Sequence, residues 1–294
     1  MRTKALCLLL LLGAVGLRAQ DTTAVKPADT IKAWTSKGNF SFLFNQSTFD
    51  NWVAGGENNI SGNAGVNYDF NYKKGVWSWD NKVIASYGLV KTRTSSFAKK
   101  TDDRFEYNSL LGKQITDVWN YSFFLNFKTQ FTKGYKYDKD ENGVEIRTEY
   151  TDFMSPGYLS FGPGIAWKKR DDFKFNLSPA ASKLTFVDAG RTLPNEEYFG
   201  VKEGKSVRYE LGANFSGMYK FVLLANVQVE NILNLYSNYL EDPQNVDLDY
   251  QLNVVLKVNK WLTTNIMFQT IYDDNAFRGF QIRQVFGVAV NYGF

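Results

Sequence analysis

The chain has 294 residues, 34 basic and 30 acidic, with no histidine and one cysteine. The missing histidine excludes histidine-centred triads and imidazole metal sites. Removing Arg2, Lys4 and Arg18 of the leader leaves 31 basic against 30 acidic residues, a near-neutral balance that gives no argument for binding nucleic acid.

Residues 1–19 read as a secretory signal peptide. Arg2 and Lys4 give a positive start, Ala5 to Val15 is an apolar run too short to span a bilayer, and Ala19 precedes the expected cut. Cys7 lies inside this leader, so the mature chain is expected to hold no disulfide, thiol nucleophile or sulfur ligand. Residues 20–36 are polar and read as a flexible periplasmic lead-in. Aromatics make up 16% of the chain while mean hydropathy is −0.33. No later stretch approaches the ~18 consecutive apolar residues of a spanning helix.

From residue 37 onward the chain alternates apolar and polar with the period of a strand. The first strand, 38–47, puts Phe40, Phe42 and Phe44 on one face. Next, 58–72 sets Val66, Tyr68, Phe70 and Tyr72 against Asn67, Asp69 and Asn71. In 76–92, Trp77, Trp79, Val83 and Tyr87 oppose Asp80, Lys82 and Ser86; in 102–115, Phe105 and Tyr107 oppose Glu106 and Asn108. The stretch 119–133 opposes Trp119, Tyr121, Phe123, Leu125 and Phe127 to Asn126 and Lys128. A polar insertion, 134–154, follows. Then come 155–168, with Phe161, Ile165 and Trp167 on one face, and 173–187, which starts with Phe173, Phe175 and Leu177 against Lys174, Asn176 and Ser178. The remaining strands are expected at 205–218, 220–237, 246–258, 261–274 and the final stretch to Phe294. That last one alternates Phe286, Val288, Val290, Tyr292 and Phe294 with Gly287, Ala289, Asn291 and Gly293.

Twelve strands with alternately short and long connections predict a single all-β domain, 37–294: a closed antiparallel transmembrane β-barrel with short periplasmic turns and longer outer loops. Hydrocarbon offers no water to free backbone groups, so the sheet must close on itself and the last strand must pair with the first. A terminal Phe294 after such alternation resembles the carboxy-terminal signal read by the bacterial barrel-assembly machinery. The expected location is the outer membrane, the expected contacts its lipid and that machinery, and neither nucleic acid, cofactor nor enzymatic activity is expected.

Candidate functional residues fall into four groups. The face predicted to line the lumen carries Asp69, Asp80, Lys82, Glu106, Lys128, Lys174, Arg208, Glu210, Glu230, Asp249, Lys257 and Arg283, which read either as a polar pore or as an ion-pair network filling a narrow barrel. Trp77, Trp119, Tyr121, Trp167 and Trp261 lie next to the short turns and read as an aromatic girdle at headgroup level. Trp52 and Val53 make the first outer loop unusually apolar, as a contact patch or a fold-in at the mouth would. Asp138, Asp140, Asn142 and Glu149 match the letters of a calcium loop, but their flanks read as strands and Asn142-Gly143 is a hairpin-turn signal, so an exposed hairpin without metal is expected.

Asn51-Trp52, Gly55-Gly56 and Asn58, directly after a short aromatic strand, resemble the start of a Bacteroidota outer-membrane β-barrel family catalogued as a domain of unknown function. The resemblance runs from about Trp34 to Phe294. It implies an outer-membrane barrel and no activity, and it supplies no functional residues. Two roles stay open: a narrow or plugged passive pore or transport barrel, and a closed barrel that anchors or partners a surface or secretion complex.

Overall fold

The computed structural model of this chain describes residues 32–48, 57–170, 172–192 and 198–293. The signal-peptide reading, Trp52, Val53 and Phe294 lie outside them. Fourteen strands occur among the described residues: β1 (Trp34–Ser47), β2 (Asn59–Lys74), β3 (Trp77–Thr92), β4 (Lys99–Gln114), β5 (Trp119–Thr129), β6 (Gly134–Lys139), β7 (Glu145–Thr151), β8 (Gly157–Arg170), β9 (Phe173–Phe186), β10 (Val207–Leu224), β11 (Val227–Asn238), β12 (Val246–Lys257), β13 (Leu262–Asp273) and β14 (Phe277–Gly293). Twelve of them close into one antiparallel barrel in the order β1-β14-β13-β12-β11-β10-β9-β8-β5-β4-β3-β2. β6 and β7 form a separate hairpin.

Closure is made where the sequence demands it. β1 pairs with β14 from Asn39 opposite Gly293 to Leu43 opposite Ala289, so neither end of the sheet presents a free edge along this stretch. The connections segregate as expected. Short turns join β2 to β3, β4 to β5, β8 to β9, β10 to β11 and β12 to β13, while the loops at the other end are longer on average and include the β6–β7 hairpin, the β13–β14 connection, 274–276, being the short exception. Gly75, at φ +58°, completes the turn after Lys73 and Lys74 in a conformation that a Cβ would strain.

Burial is inverted relative to a water-soluble fold. The largest fully buried side chains include Glu210 and Asn176 of the lumen face, whereas Phe286 is 74% and Phe280 65% exposed. Phe40, Phe42 and Phe44 on β1 and Val288, Val290 and Tyr292 on β14 continue the exposed apolar face across the seam. Polar groups inside and a continuous apolar exterior are what a bilayer-spanning barrel requires, so this is a transmembrane barrel.

β1 starts at Trp34, paired with Tyr72, so 34–36 belong to the barrel and not to the expected lead-in. Two further details depart from the sequence pattern. The alternation places a turn near residue 219, yet β10 runs on to Leu224 and the chain turns at Ala225-Asn226. Lys220 stays in the strand because it faces Glu230 directly across the ladder, with Nζ 3.2 Å from the carboxylate. The second departure lies in β9. Its register against β8 shifts between Phe161 and Ile165, and against β10 between Gly212 and Asn214, so both neighbours see one extra residue between Ser178 and Ala181. Proline cannot donate to a ladder and marks bulges, and Pro179 sits in this one. The bulge has room because Gly162 and Gly164 lie opposite it; a Cβ on Gly162 would come within 2.5 Å of the Ala180 carbonyl oxygen. Beyond the bulge the phase reverses. Asn176 and Ser178 are buried before it, and Ala181 and Thr185 after it.

Candidate functional site: the barrel lumen

The polar face of each strand can be followed around the barrel through its cross-strand partners. Asp69 faces Lys82, Lys82 faces Asn108, Glu106 faces Lys128, and Gln269 faces Arg283. Cross-strand partners share a face, so the lumen-facing residues picked out by alternation do lie on one surface.

What alternation does not give is who meets whom across the space. Lys128 Nζ on β5 lies 2.9 Å from Asp249 Oδ2 on β12, although four strands separate them along the wall. The bond therefore spans the lumen. On the β5 side, Arg104 pairs with Glu106, which also accepts hydrogen bonds from Asn108 at 2.8 Å and Asn126 at 3.3 Å. On the β12 side, Asp249 accepts from Gln251 at 3.3 Å and Gln269 at 2.9 Å. Nearer the short turns, Asp80 on β3 receives Lys168 of β8 at 3.0 Å and Lys174 of β9 at 3.6 Å. Nearer the loops, Arg283 on β14 reaches Asp102 on β4 at 2.7 Å. Glu230 holds Lys220, and Arg208 bridges Glu210 at 3.2 Å and Glu241 at 2.9 Å. Lys257 is exposed at the turn end and is not drawn into these networks among the described residues.

Apolar groups join the crossing. Phe124 of β5, Ala181 of β9 and Tyr236 of β11 pack together with Leu110 of β4, and the Tyr236 hydroxyl is buried with no hydrogen-bond partner. Beside them Ser122 donates to Asn176 at 2.5 Å. Opposite walls thus touch near the turns, near the loops and in between, and the lumen is bridged rather than clear.

Sequence reasoning missed the most heavily engaged cation. Lys183 lies after the β9 bulge, so unbroken alternation would put it on the lipid side. It faces the lumen instead, 2.8 Å from Asp247, 3.5 Å from Glu210 and 3.7 Å from Asp273, and 5.0 Å from the Tyr236 ring centre. Pro179 was the available signal. Asp247, Asp273 and Asp274 also gather close together at this mouth, with Lys183 between the first two. A polar recess of about 250 Å³ opens beside them, lined by residues such as Arg208, Glu241 and Arg278.

Of the five aromatic residues expected as a girdle at the turn end, all but Trp167 are exposed. Trp119 is directly opposite Trp167, Trp167 stacks on Phe175 at 5.8 Å, and Trp77, Tyr121 and Trp261 are 45%, 62% and 51% exposed. The calcium-like spacing folds as a hairpin, which separates its letters. Asp140 caps the turn, its Oδ1 accepting from the Asn142 and Val144 amides at 2.9 and 2.8 Å. Glu149 lies at the other end of the hairpin, opposite Tyr135, and is taken by Lys133 and Arg191. The Lys133 hydrogen bond, followed by that of Arg191, holds the Glu149 carboxyl below its ordinary range.

The outer loops are bound to one another. Glu145 joins the hairpin to the start of β4 through Lys99 at 2.5 Å and to the β3–β4 loop through the Ser96 amide at 2.7 Å, and the Lys99 bond brings its carboxyl down to about 2. Tyr198 donates to the carbonyls of Tyr150 and Ser155, packs edge-on to Tyr150, and burial pushes its hydroxyl up to about 12.

A family model described as "Protein of unknown function (DUF3078)" matches residues 44–135. No curated protein matches the sequence. Among solved structures, the translocator domain of the autotransporter NalP from Neisseria meningitidis aligns over 91% of this chain and 90% of its own, at 8% identity and a TM-score of 0.43. The β domain of the Bordetella autotransporter BrkA covers 89% and 100%, at 10% identity and 0.36. An outer membrane channel from Pseudomonas putida F1 covers 92% and 99%, at 9% identity and 0.37. At such scores the likeness decides nothing about this chain, whose architecture rests on its own closed strand order.

Proposed function

We propose that this protein is an exported outer-membrane barrel whose lumen is plugged by its own side chains, serving as a narrow passive pore or transport barrel that is closed in the conformation described. The observation that carries this reading is the Lys128–Asp249 bond, tied on one wall to Arg104 and Glu106 and on the other to Gln251 and Gln269. A solute crossing the barrel must part these groups, and parting a partly buried pair costs several kcal/mol unless the solute replaces its bonds. The same reading assigns the protein no catalytic role and no cofactor, a Bacteroidota origin, and assembly through the barrel-assembly machinery.

Planar-bilayer recording tests it. The wild-type protein is expected to show low or absent conductance, and the Lys128→Met/Asp249→Asn double variant a larger, longer-lived one. Porin-like conductance in the wild type, unchanged in that variant, would overturn the reading.

A second role, as a closed barrel that anchors a surface partner, is favoured by the outer loops. The hairpin, its Glu145 and Glu149 contacts and Tyr198 give that end a built surface rather than separate strands of loop. This reading predicts no conductance in either protein and a partner that co-purifies with the wild type but not with a variant lacking 134–154.

A further inference from the structure

On the outer wall at the turn end, one cross-strand row of β2, β3 and β4 reads Lys74, Trp77, Lys113: Lys74 is the ladder partner of Trp77, and Trp77 that of Lys113. All three are exposed, and Lys113 Nζ lies 5.5 Å from the Trp77 ring centre. The next row of the same face, two residues further into the barrel wall, is Trp34, Tyr72, Trp79 and Leu111, again as successive ladder partners. Its rings pack on one another, with Trp34 5.2 Å from Tyr72 and 5.8 Å from Trp79. Two cations flanking one indole therefore stand one rung outside an apolar aromatic shelf. Among the described residues neither lysine makes an ion pair.

We propose that this corner binds the headgroup of an anionic glycerophospholipid from the leaflet on the turn side. The two ammonium groups take the phosphate, the Trp77 ring meets the glycerol region, and the Trp34–Tyr72–Trp79–Leu111 shelf receives the start of the acyl chains. The spacing suits it, because rows two residues apart along a strand are about 6–7 Å apart, roughly the step from a phosphate to the first acyl carbons. Depth suits it as well, since tryptophan rings settle at headgroup level with lysine ammonium groups reaching just beyond. Charge selects the lipid. The flanking turns add no charge at 75–76 and only Asp117 at 115–118. The outer insertion 134–154, by contrast, holds six carboxylates against three cations, so a basic headgroup site is a property of the turn end. A zwitterionic headgroup would bring its own cation to two lysines and gain less.

The full chain, refolded and delipidated in a mild non-ionic detergent, is titrated with phosphatidylglycerol or phosphatidylcholine of equal chain length, and bound lipid is counted by native mass spectrometry. A lysine near a charged lipid contributes about fivefold in affinity. The wild type should then prefer phosphatidylglycerol by about tenfold or more, and Lys74→Gln/Lys113→Gln should lose most of that preference while keeping its heat-modifiable gel mobility. Lys136→Gln/Lys139→Gln, which removes the same charge from the outer hairpin, should keep the preference. Should the Lys74→Gln/Lys113→Gln protein fail to fold, a salt titration of the wild type decides: the preference should collapse by 0.5 M NaCl at a Debye length of about 4 Å. Equal binding of the two lipids by the wild type, a preference that survives Lys74→Gln/Lys113→Gln or high salt, or an equal loss in the hairpin variant would overturn the proposal.

Discussion

Breaking the Lys128–Asp249 bond is the perturbation that bears most directly on the plugged lumen. At 2.9 Å and an effective dielectric constant of about 20, the Coulomb attraction is about 6 kcal/mol. The side chains are 31% and 14% exposed, so water screens part of this, and desolvation of both charges takes another share. About 3 kcal/mol of coupling should remain. Lys128→Met removes the ammonium with little change in shape but leaves Asp249 to Gln251 and Gln269, whereas Asp249→Asn leaves Lys128 beside Glu106. Each single variant should therefore lose about 3–5 kcal/mol, and the double variant much less than the sum of the two. Reversible urea unfolding in lipid vesicles, followed by tryptophan emission, supplies the four free energies of the cycle. Additive losses, with coupling below about 0.5 kcal/mol, would show that the two groups do not meet across the lumen and would refute the reasoning.

Three further outcomes follow from the same structure. Deleting Ala180 should remove the extra residue of the β9 bulge and leave Ala181 and Lys183 on the lumen face, now in unbroken alternation after Ser178; the heat-modifiable band on a gel should persist, and its loss, as expected if the deletion turned Lys183 toward lipid at a cost of about 2–4 kcal/mol near the bilayer midplane, would disprove the bulge. Gly162→Val should instead weaken that band, because its Cβ would lie 2.5 Å from the Ala180 oxygen, and it too is read from the folded fraction on the gel. The Glu145 carboxyl is depressed in the folded state from its ordinary value of 4.5 to about 2, so its tie to Lys99 and Ser96 contributes fully above about pH 4.5 and is lost as pH falls toward 2. Hydrogen exchange at the Ser96 amide should accelerate across that window in the wild type and lose that dependence in Glu145→Gln.

Much of the wall was legible in the sequence because a barrel strand exposes its two faces to opposite media, and period-two alternation survives wherever the strand is regular. Asp80, Glu106, Lys128 and Arg283 were placed on the lumen face by that alone. Lys183 was not, since one extra residue at Pro179-Ala180 reverses the phase and periodicity contains no count of bulges. The turn at Ala225-Asn226 was missed because Val222, Leu223 and Leu224 read as the start of a new strand rather than the end of an old one. Nor could the pattern say that Lys128 would find Asp249. That depends on which strands face each other across the closed barrel, a property of closure and stagger rather than of any local run. The hairpin at 134–154 was legible from Asn142-Gly143, and the binding of the outer loops by Arg191 and Tyr198 was not, because those contacts join segments 42 to 48 residues apart.

The central claim is that the first and last barrel strands are joined inside a bilayer around a polar lumen. Ser41 and Asn291 are ladder partners on the lumen face of β1 and β14, at a separation a disulfide can span. A Ser41→Cys/Asn291→Cys variant expressed in cells and oxidised in place should form an intramolecular disulfide in nearly every molecule, and the cross-linked protein should stay with the membrane through a high-pH carbonate wash. A protein recovered from the aqueous fraction, or membrane-bound with both thiols still free, would contradict the closed transmembrane barrel.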